Sequence, residues 1–367
     1  MNIGAVILAA GYSTRIGGFK PLMQLDGQSL IERCAGLFRQ AGIKTILVVT
    51  GHRAQEVEIE ANRIAVQSIH NPYYDRGMFS SICTAVRHLS GIAGFFVLPV
   101  DIPLIRPATV ITLLASFDDR SVIYPCFGGL RGHPPLIPAH LIPAILTHDG
   151  QGGLKGLLAT QVGQDIDVWD QGVLLDADTS EDFAVLTQRL SRLDIGEPAE
   201  ALALAAQSMP VRGLRHGLAV AGIASALGRE LNRRGCNLDL FLLHNAALLH
   251  DIAKGQSQHE KQGAQALRGL GLGRLSRIVA THRDTPPPAS GKITEKEIVC
   301  LADKLVRGSR HIPVRKRFEE KLALYKEDQK ACQAIRNRLA NALALQSLVE
   351  KAIGQKIEDF LRSEEIV

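Results

Sequence analysis

The residues best equipped for chemistry lie in one short stretch, Leu8-Ala9-Ala10-Gly11-Tyr12-Ser13-Thr14-Arg15-Ile16-Gly17-Gly18-Phe19-Lys20-Pro21-Leu22. Gly11 and Gly17 let a chain turn tightly and bring backbone N–H groups close to phosphate oxygens. Ser13 adds a hydroxyl, Arg15 can fork onto two oxygens, and Lys20 supplies a mobile point charge. Together these are the parts of a polyphosphate grip. They are neither a Walker loop nor a dinucleotide fingerprint, because no Gly-Lys-Ser/Thr and no Gly-x-Gly-x-x-Gly follows the preceding apolar run.

A grip of this kind needs a rigid mount, and the run at residues 3–8 reads as a buried strand feeding it. Further strands are expected at residues 45–50, 65–68, 95–99 and 121–124, with helical patterns at 29–41, 54–61 and 80–89. Alternation of apolar strands with helices implies an α/β, Rossmann-like and mostly parallel sheet, with ligands bound beyond the strand C-termini. From about residue 197 strands give way to helical periodicity at 214–233, 238–252 and 330–361, an all-α pattern. Gly196 and Pro198 interrupt the pattern, so the expected division is residues 1–192, a linker at 193–199, and residues 200–367.

The chain has 367 residues, 46% hydrophobic and 22% charged, which excludes a disordered chain and is long enough for two cores. A net charge of +5 suits small anionic substrates and gives no case for nucleic acid. The run Arg315-Lys316-Arg317 is expected to be a solvated helix face. Six scattered cysteines without Cys-x-x-Cys spacing argue against a disulfide framework or a cysteine zinc site and fit a reducing compartment. No apolar run reaches membrane-spanning length, so no membrane partner and a cytoplasmic setting are expected.

The spacing of Leu8, Ala9, Ala10, Gly11, Ser13, Arg15, Gly17, Lys20 and Leu22 resembles the signature of nucleotidyltransferases that activate sugars, alcohols and cofactors. Thr50-Gly51-His52, Asn71-Pro72, Gly77-Met78-Phe79-Ser80-Ser81, Leu98-Pro99-Val100-Asp101-Ile102-Pro103-Leu104, Gly132-His133-Pro134 and Asp176-Ala177-Asp178-Thr179-Ser180-Glu181-Asp182 extend it towards the molybdenum cofactor cytidylyltransferases. Ile16 and Val100 stand where that family usually has Met and Gly. The resemblance implies that Leu8, Ala9, Ala10, Gly11, Ser13, Arg15, Lys20, Gly51 and Ser80 bind the nucleotide. Arg15, Lys20 and Asp101 would then carry the reaction, with Asp101 and Asp178 holding Mg²⁺ and Asp176 a weaker choice. His52 and His133 are candidates for substrate contact, with ordinary loop histidines as the alternative.

Ala9-Ala10-Gly11 resembles the cytidylyl rather than the guanylyl members, so CTP is the favoured nucleotide. The implied reaction moves CMP to the phosphate of molybdopterin carrying molybdenum, releasing pyrophosphate, with molybdoenzymes or their chaperones as protein partners. A sugar- or alditol-phosphate acceptor, or guanylyl transfer, is the alternative.

In the second half, Leu248-Leu249-His250-Asp251-Ile252-Ala253-Lys254 resembles the defining element of HD-superfamily phosphohydrolases. His216 upstream and Asp303 downstream stand in that family's order, and His259 and His282 match positions where some members bind a second metal. The implied cofactors are one or two divalent metals such as Fe, Mn, Co, Ni or Zn, with Asp251 bridging if there are two. The implied activity is hydrolysis of a small phosphorylated metabolite or nucleotide, making the chain bifunctional. The alternative is a metal-binding module that regulates the transferase.

Overall fold

The computed structural model describes residues 2–364, which form two compact units dividing between Ser191 and Arg192. In the first unit, eight strands make one sheet: β1 (Ile3–Leu8), β2 (Thr45–Thr50), β3 (Gln67–His70), β4 (Gly94–Pro99), β5 (Val122–Phe127), β6 (Leu130–Arg131), β7 (Leu136–Pro138) and β8 (Gly163–Asp167). Their spatial order is β8-β5-β7-β4-β1-β2-β3, with β6 hairpinned onto β5. Neighbours are parallel except for the β5–β6 hairpin and for β7, which runs antiparallel to both β4 and β5. The sheet is therefore mostly parallel, as its alternation with helices requires.

Every residue of β1 and β4 is buried, because helices cover both faces. On one face Phe96 of β4 meets Phe38 of the helix Leu30–Gln40, with ring centroids 5.5 Å apart. On the other, Phe95 and Val97 join Ile82, Ala85 and Val86 of the helix Met78–Val86. The register matters for function. Leu8 pairs with Pro99 and with Val49, so the chain leaves β1, β2 and β4 at the same edge of the sheet. Hydrogen bonds from Ala9 N–H to the Val49 carbonyl and from Val100 N–H to the Leu8 carbonyl extend that registration into the loops.

The strand expected at 65–68 starts two residues later, because the helix Ala54–Arg63 closes through Ala65 in a left-handed conformation (φ 52°). The sequence reading contained no counterpart of β6, β7 or β8.

The second unit is helical, and among the described residues its strands are the two-residue pair Val306–Arg307 and Arg310–His311. At its centre lies the helix Leu240–Leu249, buried from Leu242 onward apart from His244 and capped by Asp239, whose carboxylate accepts from Phe241 and Leu242 N–H. The helix Val211–Arg233 crosses it so closely that a Cβ on Gly217 would lie 2.3 Å from the Leu248 carbonyl oxygen. That contact is possible only for glycine, and it brings neighbouring His216 to the end of the central helix.

The helical expectation at 330–361 is corrected to two helices, Gln329–Ile353 and Ile357–Ser363, separated at Gly354 in a left-handed C-cap. Residues 193–199 are likewise folded into the second unit. Ile195 is fully buried, and the carbonyls of Ile195 and Gly196 accept from the Asn245 side chain. No described helix is long and apolar enough to cross a membrane.

Candidate active site and candidate metal centre

Where β1 and β4 end, their loops enclose a cavity of about 420 Å³. Leu8, Ala9, Ala10, Gly11, Ser13, Arg15, Lys20, Asp101 and Asp178 all line it. The loop is pinned from within: Ser13, itself left-handed (φ 58°), accepts the Lys20 backbone N–H at 3.0 Å. Lys20 is thereby turned inward and is only 8% exposed.

The Lys20 ammonium donates to Asp101 Oδ2 at 2.9 Å and to Asp178 Oδ1 at 2.6 Å. Arg15 pairs with the far oxygen of Asp178 at 2.9 Å. Burial disfavours the charged lysine, but Asp178 and Asp101 outweigh it and hold the ammonium above the usual lysine range. The Lys20 hydrogen bond holds the Asp178 carboxyl below its ordinary value.

Two local features put Asp178 there. The Ala177 N–H donates to the Asp101 carbonyl at 2.8 Å, stitching the two segments together. The following helix Ser180–Leu190 is capped by a reciprocal Thr179–Asp182 box, leaving Asp178 unused as a cap. Asp176 is not among the residues lining this cavity.

Gly51 and Ser80 stand outside the cavity wall. Gly51 backs the loop: a Cβ on it would lie 2.8 Å from the Ala10 methyl and 2.7 Å from Tyr74 Cβ. The Ser80 hydroxyl is spent on loop closure, donating towards the Tyr73 and Gly77 carbonyls and accepting from Asn71, while neighbouring Ser81 lines the cavity. The His52 ring packs on Tyr12 and Phe19, with centroids 5.0 and 5.9 Å away.

His133 belongs to an adjoining cavity of about 580 Å³, which shares Met78 and Pro99 with the first. Phe79, Ile82 and Tyr124 give this second cavity apolar walls, and Arg131 and Lys155 give it positive charge. His133 Nδ1 is buried without a hydrogen-bond partner, and burial lowers its pKa despite the nearby Asp101.

In the helical unit, all six expected ligands come together. His216 Nε2 lies 3.3 Å from Asp303 Oδ1 and 3.8 Å from Asp251 Oδ2, and His250 Nε2 lies 3.6 and 3.4 Å from the same atoms. The other Asp251 oxygen, Oδ1, faces His259 Nε2 at 3.3 Å and His282 Nε2 at 3.7 Å. Asp251 thus turns one oxygen to each of two donor groups, His216–His250–Asp251 and Asp251–His259–His282.

The imidazoles are set from behind. His216 Nδ1 bonds the Gly308 carbonyl at 2.8 Å, His250 Nδ1 that of Ala247 at 2.7 Å, and His282 Nδ1 that of Val279 at 2.7 Å. A carbonyl can only accept, so each Nδ1 carries the proton and each Nε2 is left to bind inward. His250 Nε2 is buried and makes no hydrogen bond. A buried, inward-facing lone pair beside two carboxylates fits a borderline transition metal.

Without a metal the charges partition among the side chains. Burial disfavours the charged form of His250, but Asp251 and Asp303 push its pKa up to about 9. Burial also opposes ionisation of Asp251, yet His250 and His282 hold its carboxyl well below the usual range.

The central helix ends at Leu249, short of the expected residue 252. The Ile252 N–H bonds back to Leu249 and the Lys254 N–H to Asp251, tightening the chain so that His250 and Asp251 sit on a turn. A second correction concerns Arg317. It is not a solvated charge but points inward, donating to the carbonyls of Asp303 and Val306 and lying 3.3 Å from Asp303 Oδ1. Its place on the helix Val314–Leu324, on the same face as buried Val314 and Phe318, was the available signal. Lys304, donating to Asp303 Oδ2 at 2.8 Å, was also unforeseen.

Comparison with known proteins agrees with both halves. The MobA-like NTP transferase domain matches residues 5–166, and the HD domain matches residues 213–308. The molybdenum cofactor cytidylyltransferase of Escherichia coli (strain K12) is 24% identical over 192 residues, covering 52% of this chain and 98% of that protein. The molybdenum cofactor guanylyltransferase of Xanthomonas euvesicatoria pv. vesicatoria (strain 85-10) is 31% identical over 119 residues, covering 32% of this chain and 57% of that protein. A protein called nicotine blue oxidoreductase, from Paenarthrobacter nicotinovorans, is 30% identical over 190 residues, covering 49% of this chain and 93% of its own length.

Proposed function

Because the N-terminal half belongs to the MobA-like NTP transferase family and the C-terminal half carries an HD domain, we propose that the chain joins a nucleotidyltransferase to a metal-dependent phosphohydrolase. The first activity is transfer of CMP from CTP to the phosphate of molybdenum-bearing molybdopterin, with release of pyrophosphate, in the cytoplasm. The observation that carries it is the Lys20 ammonium held between Asp101 and Asp178 inside the loop cavity of about 420 Å³.

Asp101 and Asp178 offer only oxygen donors and sit on the same ammonium, a donor set that suits Mg²⁺ completed by substrate phosphates. Magnesium, when bound there, supplies neutralising charge for the triphosphate. The loop amides after Leu8, with Arg15, grip the β- and γ-phosphates. Lys20 exchanges its carboxylate partners for the α-phosphate, where negative charge moves as the acceptor oxygen bonds to phosphorus and pyrophosphate departs. Positioning and charge do most of the work. The adjoining cavity, apolar with Arg131 and Lys155 at its wall, suits a flat ring system ending in a phosphate.

CTP is favoured by Ala10, whose methyl occupies the space that Gly51 leaves open beside the loop. Relatives named for both cytidylyl and guanylyl transfer exist, so the nucleotide has to be read directly. Purified protein is incubated with Mg²⁺, the molybdopterin acceptor and each nucleoside triphosphate in turn, and pyrophosphate is measured. Release with CTP alone is the expected result. Release with GTP alone, or with a sugar phosphate but no pterin, replaces this assignment.

In the helical half, His216, His250, Asp251 and Asp303 would hold one divalent metal and His259 and His282 a second, with Asp251 shared. The metals supply an activated water for phosphate hydrolysis. Metal analysis with a phosphatase and phosphodiesterase screen, repeated on His250→Ala, tests this. Bound metal without turnover on any substrate favours a regulatory module.

A further inference from the structure

We propose that the helical unit acts on a phosphoanhydride, an organic group carrying at least two consecutive phosphates, and that Lys321 and Arg338 select it by holding the phosphate beyond the reacting one. This rests on the phosphohydrolase reading above.

Two adjoining cavities reach the metal-ligand cluster. One cavity, of about 350 Å³, is lined by Asp251, His259 and His282 together with Lys321 and Arg338. These two cations come from the helices Val314–Leu324 and Gln329–Ile353, beyond residue 308 where the HD match ends. The other cations of the wall already have carboxylate partners: Lys254 has Asp251, Arg283 has Glu260, and Lys304 and Arg317 have Asp303. Among the described residues, neither Lys321 nor Arg338 forms a side-chain hydrogen bond or ion pair.

Like charges gathered this way are costly unless an anion joins them. Partial burial, then Arg317, Lys304 and Arg338, hold the Lys321 pKa below the usual lysine range against the opposing pull of Asp303. A single reacting phosphate at Asp251 would be served by the metal ligands themselves. Two further cations in the same wall, neither with a carboxylate partner, call for a second phosphate.

A larger cavity of about 640 Å³ also reaches Asp251, with Met209, Pro210, Ile252 and Leu324 in its wall. Asp251, Lys254, Gln256, Arg317 and Lys321 belong to both cavities, so Lys321 stands where they meet and Arg338 lies in the smaller one. The ligand that satisfies this layout has its organic group in the larger cavity, the reacting phosphorus at Asp251 and the leaving phosphate at Lys321 and Arg338. The balance is that of hydrolysis. A water oxygen bonds to the reacting phosphorus, the bridging P–O bond breaks with its electron pair on the departing phosphate, and the protons of water pass to the two products.

The test uses the full-length chain in a Lys20→Met background, which removes the inward ammonium of the first unit, loaded with Mn²⁺. Methylenediphosphonate and methylphosphonate are titrated calorimetrically, with and without Lys321→Met/Arg338→Gln. The diphosphonate is expected to bind about 100-fold more tightly, and the double variant to erase the difference while metal content and melting temperature stay unchanged. In parallel, hydrolysis of a nucleoside triphosphate should fall about 50-fold in the double variant while any monophosphate hydrolysis is retained. Equal binding of the two phosphonates, or equal loss of both in the variant, overturns the proposal. If nothing is hydrolysed but the diphosphonate preference exists and vanishes in the variant, the hydrolase reading falls and the two-phosphate site stands.

Discussion

The Lys20 ammonium donates to Asp178 at 2.6 Å although 158 residues of chain separate them. Replacing Lys20 with Met removes the charge that offsets two carboxylates and meets the α-phosphate. Nucleotidyl transfer, followed as pyrophosphate release, should drop about 100-fold or more in kcat. With the ammonium gone, Asp101 and Asp178 repel each other, so added Mg²⁺ should raise the melting temperature of Lys20→Met more than that of the wild type. Equal Mg²⁺ responses would remove Asp178 from the proposed metal site.

Ala10 and Gly51 form a matched pair. Gly51→Ala drives a methyl into Ala10 and Tyr74, and should cost about 1–3 kcal/mol of stability together with nucleotide affinity. Ala10→Gly should restore part of the loss, and only part, because the Tyr74 contact remains. A double-mutant cycle by chemical denaturation reads the coupling, and strict additivity would contradict this packing.

Much of this was legible beforehand. The glycine-punctuated loop after β1 and the His-Asp pair are contiguous in sequence, and β1, β2 and β4 are apolar on both faces, so their pattern survives without tertiary context. β8 reads Gly-Gln-Asp-Ile-Asp and is largely exposed, carrying no apolar signal, and β7 is only three residues long. Both owe their pairing to neighbours rather than to local preference. Arg317 was misread because a basic run looks the same whether its charges face water or a carbonyl. Lys321 and Arg338 escaped notice because only the packing of late helices brings them into the cavity of the distant His-Asp pair.

Metal stoichiometry should split along Asp251. His282→Ala is expected to lower the metal content of purified protein by one ion per chain and to spare the His216–His250 group, while His250→Ala spares the other. Asp251→Ala should lose both. Elemental analysis of the three variants decides, and an unchanged content in His282→Ala would reduce the centre to a single ion.

The metal-free protein should show a specific pH response. His250 has a folded pKa of about 9, above the ordinary value of about 6.5. A raised folded pKa stabilises the fold fully below about pH 6.5, and that contribution is lost as pH rises through about 9. The melting temperature of chelator-treated protein should fall across this window. Metal loading at pH 7 should release protons, measurable by calorimetry in two buffers of different ionisation heat. Loading that releases no protons would mean that His250 is already neutral.

The backbone carbonyls of Gly308, Ala247 and Val279 hold three imidazoles in place before any ion arrives. Capture of an ion would then call for loss of the His250 proton and of water from the ion, with little rearrangement of the polypeptide. On the metal-centre reading, a cage set from behind by the backbone would keep its shape whether empty or filled.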